Sequence, residues 1–119
     1  VCLGILLEGM HALKVGWYLD VGDNETHRLM LRLGHAHGTL LSVLNIAFAA
    51  SLPRLGLPVG ARVLASRCLA AATLLVPGGF ILGSLITHGA DPGLGIILLP
   101  AGAVLLLVGI FAVARHTGK

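Results

Sequence analysis

Apolar residues run through the chain in four long segments, separated by short clusters of polar and turn-forming residues. The first covers residues 1–19 and ends at Asp20-Val21-Gly22-Asp23-Asn24-Glu25, a run rich in turn formers. The second covers 26–52, with Asn24 or Thr26 placed to cap it and acids beside its start. Pro53, Gly56 and Pro58 mark the next break, and Pro58 suits the first turn of a following helix. The third segment covers 58–87. His88-Gly89-Ala90-Asp91-Pro92 separates it from the fourth, 93–115. A helix crossing a bilayer needs about 20 predominantly apolar residues, and each segment is long enough. Pro77-Gly78-Gly79 and Pro100 predict kinks or loosening in the third and fourth helices. The pattern predicts an all-α fold: one domain over 1–119, an integral membrane four-helix transmembrane bundle.

Composition agrees with that solvent. The 119 residues are 56% hydrophobic and 11% charged, against about 25% charged for a soluble domain. The formal charge of +3 is small and its bases are scattered, so no nucleic-acid surface is expected. Gly is abundant, at 17 residues, and small residues let membrane helices pack closely. Cys2 and Cys68 have no metal or redox spacing and read as small packing residues. Residues 1–19 carry Glu8, His11 and Lys14, which a signal-peptide core tolerates poorly, so they read as a mature helix. The chain opens on Val1, which leaves room for residues upstream.

Charge also gives an orientation. Asp20, Asp23, Glu25 and Asp91 fall in two of the breaks, whereas Arg54, Arg62, Arg67, Arg115 and Lys119 fall at the opposite helix ends. The positive-inside rule then places both termini in the cytoplasm. The expected setting is a bacterial-type inner (cytoplasmic) membrane, crossed several times. Trp17 and Tyr18 mark the outer interface.

Within the apolar segments lie Glu8, His11, His35 and His37. Ionisable groups at membrane depth are costly and are candidate functional residues by default. His11 is seven residues before Tyr18 and His35 seven after Arg28, so each lies about 10 Å inside the outer boundary. Helices one and two are antiparallel neighbours joined by a short loop, so residues at equal depth can meet. Arg28, Arg32, His35, Thr39 and Ser42 form one polar stripe. His37, about 200° from His35, faces another neighbour. On helix one Gly4, Glu8, His11 and Tyr18 share a face, so Glu8 and His11 are expected opposite Arg32, His35 and Thr39.

Three chemistries suit this group. Haem b would take axial imidazoles from His11 and from His35 or His37, with Arg28 and Arg32 toward its propionates and Gly34 and Gly38 admitting the flat ring. A transition-metal ion would use Glu8, His11 and His35; Glu8-Gly9-Met10-His11 has one Glu-x-x-His spacing where di-iron bundles need two. Proton handling would use Glu8 with the histidines as relays. The plain structural alternative is interhelical pairing, Glu8 with Arg32 or Lys14 and His35 with Thr39. His27, His88 and His116 fall at helix ends or in breaks and are expected to be solvated.

The run Arg32-Leu33-Gly34-His35-Ala36-His37-Gly38-Thr39 resembles the histidine-bearing helix of haem–copper oxidase and nitric oxide reductase catalytic subunits. That resemblance implies His35 or His37 as a haem ligand; the copper histidines of that family are absent. His35-Ala36-His37-Gly38 through Asn45, then Leu52-Pro53-Arg54-Leu55, is similar to small four-helix proteins of the hydroxylaminobenzene mutase type. It implies a membrane isomerase. One acid in the first of four helices also describes small multidrug transporters, but their aromatic motif is replaced here by Pro77-Gly78-Gly79.

The reading that follows is a small polytopic membrane protein with an intramembrane His/Glu site. It is expected to hold haem b or a transition metal as a redox-type subunit. The alternatives are a non-catalytic accessory subunit of a larger membrane complex, or a small isomerase or proton-coupled transporter. Whether it is an enzyme is left open by the sequence. Expected partners are the lipid bilayer and either other membrane subunits or further copies of the chain.

Overall fold

The computed structural model describes residues 2–19, 24–85 and 91–117. Expectations for Asp20, Asp23, Thr87, His88 and Lys119 lie outside the described residues. All the regular elements are helical: α1 (Cys2–Ala12), α2 (Gly16–Leu19), α3 (Asn24–Leu55), α4 (Val59–Leu85), a 3-10 turn (Leu94–Ile97) and α5 (Leu98–Thr117). Three helical stretches, Glu25–Leu55, Val59–Leu85 and Leu94–Thr117, are long and apolar enough to cross a membrane.

The first apolar segment is not one helix. α1 has 11 residues, about 16 Å at roughly 1.5 Å per residue, half of a hydrocarbon core. It stops because the backbone makes a Schellman turn. Lys14 N–H donates to His11 O at 3.2 Å and Val15 N–H to Met10 O at 3.0 Å, with Lys14 itself at φ +52°. Those two bonds satisfy carbonyls that a helix end leaves bare. A single further turn, α2, presents Tyr18, which is 1% exposed and packs with Leu7 and Leu31.

α3 runs past its expected end, through Pro53 to Leu55. Gly56, at φ +56°, then turns the chain, a conformation that costs glycine nothing. Pro58 O accepts the Arg62 N–H at 3.0 Å, so α4 begins at once. Arg54, Arg62 and Arg67 are exposed at this end of the structure.

α4 is the central helix. Its buried face includes Ala61, Ala65, Cys68, Ala72, Gly79 and Gly83, small side chains at helical spacing that bring backbones close. The 3-10 turn answers with Gly95 and α5 with Gly102 and Gly109, seven residues apart. A Cβ on Gly95 would lie 2.5 Å from Gly83 N, one on Gly102 2.6 Å from Val76 Cγ2, and one on Gly109 3.2 Å from Cys68 Cβ. On the other side, Gly34 and Gly38 of α3 meet α4: their Cβ positions would be 3.3 Å from Pro77 O and 3.3 Å from Pro77 Cβ. Asn45 Nδ2 donates to Thr73 Oγ1 at 2.7 Å across the same seam.

The prolines act differently from expectation. α4 continues through Pro77, whose ring fills the space that Gly38 leaves. Pro100 falls in the first turn of α5, just after the 3-10 turn. There its missing N–H costs little, so it marks a change of helix type rather than a mid-helix break.

The molecule is a slab of 54 × 26 × 17 Å. Its radius of gyration is 17.1 Å, against about 13.5 Å for a compact domain of this length. Large apolar side chains such as Leu40, Ile46, Leu74, Leu107 and Phe111 are exposed.

Candidate functional site

The site grows from the way α1 lies on the first half of α3. Gly4 packs directly on the His35 ring: a Cβ there would be 2.6 Å from both Cε1 and Nε2. Leu7 packs with Leu31, one turn earlier on α3. α1 therefore runs antiparallel to α3 and covers only its first half.

Two cavities meet at this crossing. The first, about 370 Å³, is a notch lined by Glu8, Arg32, His35 and Tyr18 with Gly4 and Leu7. Glu8 and Arg32 are exposed and His35 is half-buried. Among the described residues neither Glu8 nor Arg32 is drawn into an ion pair. The second cavity, about 450 Å³, is a groove between α3 and α4. His35, Thr39, Ser42 and Thr73 supply its polar edge; Leu74, Pro77 and other apolar side chains supply the rest. His35 lines both cavities, so a charged notch opens onto a mostly apolar groove through one imidazole.

The remaining candidates are elsewhere. His11 is exposed and meets the Tyr18 ring edge-on, centroids 6.4 Å apart; it lines neither cavity. Arg28 is half-buried and lines neither. His37 faces α4 and α5. Its Nδ1 is 2.8 Å from Leu33 O and its ring stacks on Phe80 at 4.9 Å. It borders an apolar cavity of about 290 Å³ with Leu41, Val76 and Leu106. A histidine whose Nδ1–H is held by a backbone carbonyl keeps its Nε2 lone pair for another partner.

Two of the expected cofactor features change. Gly34 and Gly38 are taken up by contact with Pro77, Phe80 and Ile81 of α4, so they serve helix packing rather than the approach of a macrocycle. Among the described residues no group of three or more His, Cys, Asp or Glu side chains assembles for a metal ion. Glu8 and His35 share the notch, and His11 stands outside it.

His27 is the residue sequence reasoning missed. It was expected to be solvated at a helix end; it is 5% exposed. Its Nδ1–H donates to Ser84 O at 2.6 Å, tying the start of α3 to the end of α4. The Trp17 ring meets it edge-on at 4.5 Å. Its Nε2 is buried with no hydrogen-bond partner among the described residues. The signal was its phase: His27, Met30, Leu31 and Gly34 follow three- and four-residue steps and are all buried.

No protein-family model, curated protein or solved structure matches the chain.

Proposed function

We propose that the protein is a small polytopic subunit of a cytoplasmic-type membrane that takes up an amphiphilic ligand at the Glu8–Arg32–His35 notch. The observation that carries this reading is the shared wall: a notch with both charge signs continues into an apolar groove through His35. A ligand with a polar head and an apolar body matches that pairing. The three long apolar helices support a membrane setting. α1 is the fourth membrane-embedded element in this reading, confined to one half of the bilayer. The arginines at the α3–α4 turn, with Arg115 near the end of α5, support a cytoplasmic placement of that end and of the C-terminus, whereas Gly4, level with His35, leaves the start of α1 short of it. The exposed apolar side chains of the slab are then covered by lipid and by neighbouring subunits. The test is co-purification. Protein extracted in mild detergent retains a stoichiometric amphiphile in organic extracts, and His35→Ala loses it with unchanged helicity; extracts free of any such molecule would refute the reading.

A redox reading has one specific support. His37 is held through Nδ1 beside an apolar cavity, the arrangement of a histidine that binds haem or a metal ion through Nε2. A reduced-minus-oxidised visible spectrum with elemental analysis decides it. A haem b α-band lost in His37→Ala supports the redox subunit, and a featureless, metal-free sample ends that reading.

A further inference from the structure

The charges of the notch define the ligand's head more narrowly. Glu8 and Arg32 line one cavity, are both exposed, and make no ion pair among the described residues. Each keeps its hydrogen-bonding capacity for something else. Arg32 offers five donors in a planar fork suited to phosphate oxygens. Glu8 offers only acceptors when ionised, which suits an ammonium. His35 stands between the notch and the groove, where its ring can serve the linkage between head and tail.

Depth agrees with a lipid head. Arg32 is eight residues into α3, about 12 Å along the axis, and α3 has 32 residues, longer than a hydrocarbon core needs. Arg32 therefore sits a short distance inside the boundary, within reach of headgroup phosphates by snorkelling. A head with phosphate alone would satisfy Arg32 and leave Glu8 facing a like charge. A head with an amine alone would do the reverse.

We infer that the notch recognises a zwitterionic aminophosphate headgroup of the phosphatidylethanolamine type, its phosphate on Arg32, its primary ammonium on Glu8, and one acyl chain lying in the α3–α4 groove. This rests on the amphiphile reading above and goes beyond it by fixing the head. A primary ammonium donates three hydrogen bonds, which a quaternary one cannot, so the ethanolamine and choline heads are distinguished at Glu8.

The experiment is native mass spectrometry of the full chain in detergent, titrated with phosphatidylethanolamine, phosphatidylcholine and phosphatidylglycerol of identical acyl chains. The wild type is expected to prefer phosphatidylethanolamine by about tenfold, the scale of one charge-assisted contact. Glu8→Gln is expected to erase that preference while keeping overall lipid binding. Arg32→Gln is expected to weaken all three lipids by about tenfold. Binding without headgroup preference, or a preference unchanged in Glu8→Gln, overturns the headgroup assignment and leaves the amphiphile reading standing. No lipid retained at all overturns both. A dimer whose stability depends on Glu8 and Arg32 overturns the assignment in favour of a second copy pairing across the notch. The wild-type competition decides the headgroup even where a variant fails to fold.

Discussion

Lys14 is the residue on which the shape of the N-terminal region turns, and replacing it with glycine gives a prediction whose sign is diagnostic. In the structure Lys14 occupies the left-handed region at φ +52° and closes a Schellman turn. A non-glycine residue there costs roughly 1–2 kcal/mol. Lys14→Gly removes that cost and adds about 0.5–1 kcal/mol of extra chain entropy to be lost on folding. The net expectation is a stabilisation of about 0.5–1 kcal/mol. Were residues 1–19 one continuous helix, the same change would place glycine in a helix interior and destabilise by a similar amount. α1 meets α3 over a small area, so the effect is read locally. Amide exchange over residues 2–12 in detergent should slow by about two- to fivefold in Lys14→Gly. Gly9→Ala supplies the scale, because a Cβ there meets nothing within 4 Å and the change should stabilise α1 by about 0.5–1 kcal/mol. Faster exchange in Lys14→Gly would refute the broken helix and with it the placement of α1 over half of α3.

Three further outcomes follow from the packing. Gly95→Ala brings a Cβ to 2.5 Å from Gly83 N and from Leu82 Cβ; backbone yields poorly, so a loss of about 1–3 kcal/mol is expected in steric-trapping or denaturant unfolding, and an unchanged midpoint would contradict the packing of the 3-10 turn on α4. Gly4→Ala meets the His35 ring first, the mobile end of a side chain. It should leave stability nearly unchanged while shifting the His35 ring resonances in NMR; unmoved resonances would argue against that contact. Asn45→Ala loses bonds to Thr73 Oγ1 and Leu69 O and should cost about 0.6 kcal/mol, up to roughly 1.7, with Thr73→Ala in the same background adding little.

The long helices were legible because Glu25–Leu55, Val59–Leu85 and Leu94–Thr117 each contain an apolar stretch long enough to cross a membrane despite their polar residues. The turn at Gly56 and Pro58 was legible because each residue has a backbone reason to be there. The break at Lys14 was not, since the left-handed position usually announces itself with glycine and here glycine stands two residues later, at Gly16. The α4–α5 seam was readable in principle from Gly95, Gly102 and Gly109, but a seven-residue glycine spacing is faint in a chain with 17 glycines. For the site, helical phase separated His37 from His35 and set Glu8 beside Arg32. His11 stays on α1 with Glu8, but in its last turn, where its ring meets Tyr18 instead of lining the notch.

α1 also gives the molecule a taper. It adds its girth beside the half of α3 that holds Arg28 to His35 and nothing beside the half that leads to Pro53. In a bilayer such an outline occupies more area in one leaflet than in the other. Copies gathered at a modest density would then bend the sheet toward the narrow side, and a curved patch would draw in more copies than a flat one. In the proposed membrane setting, the broken first helix thus makes the footprint of a single chain unequal in the two leaflets.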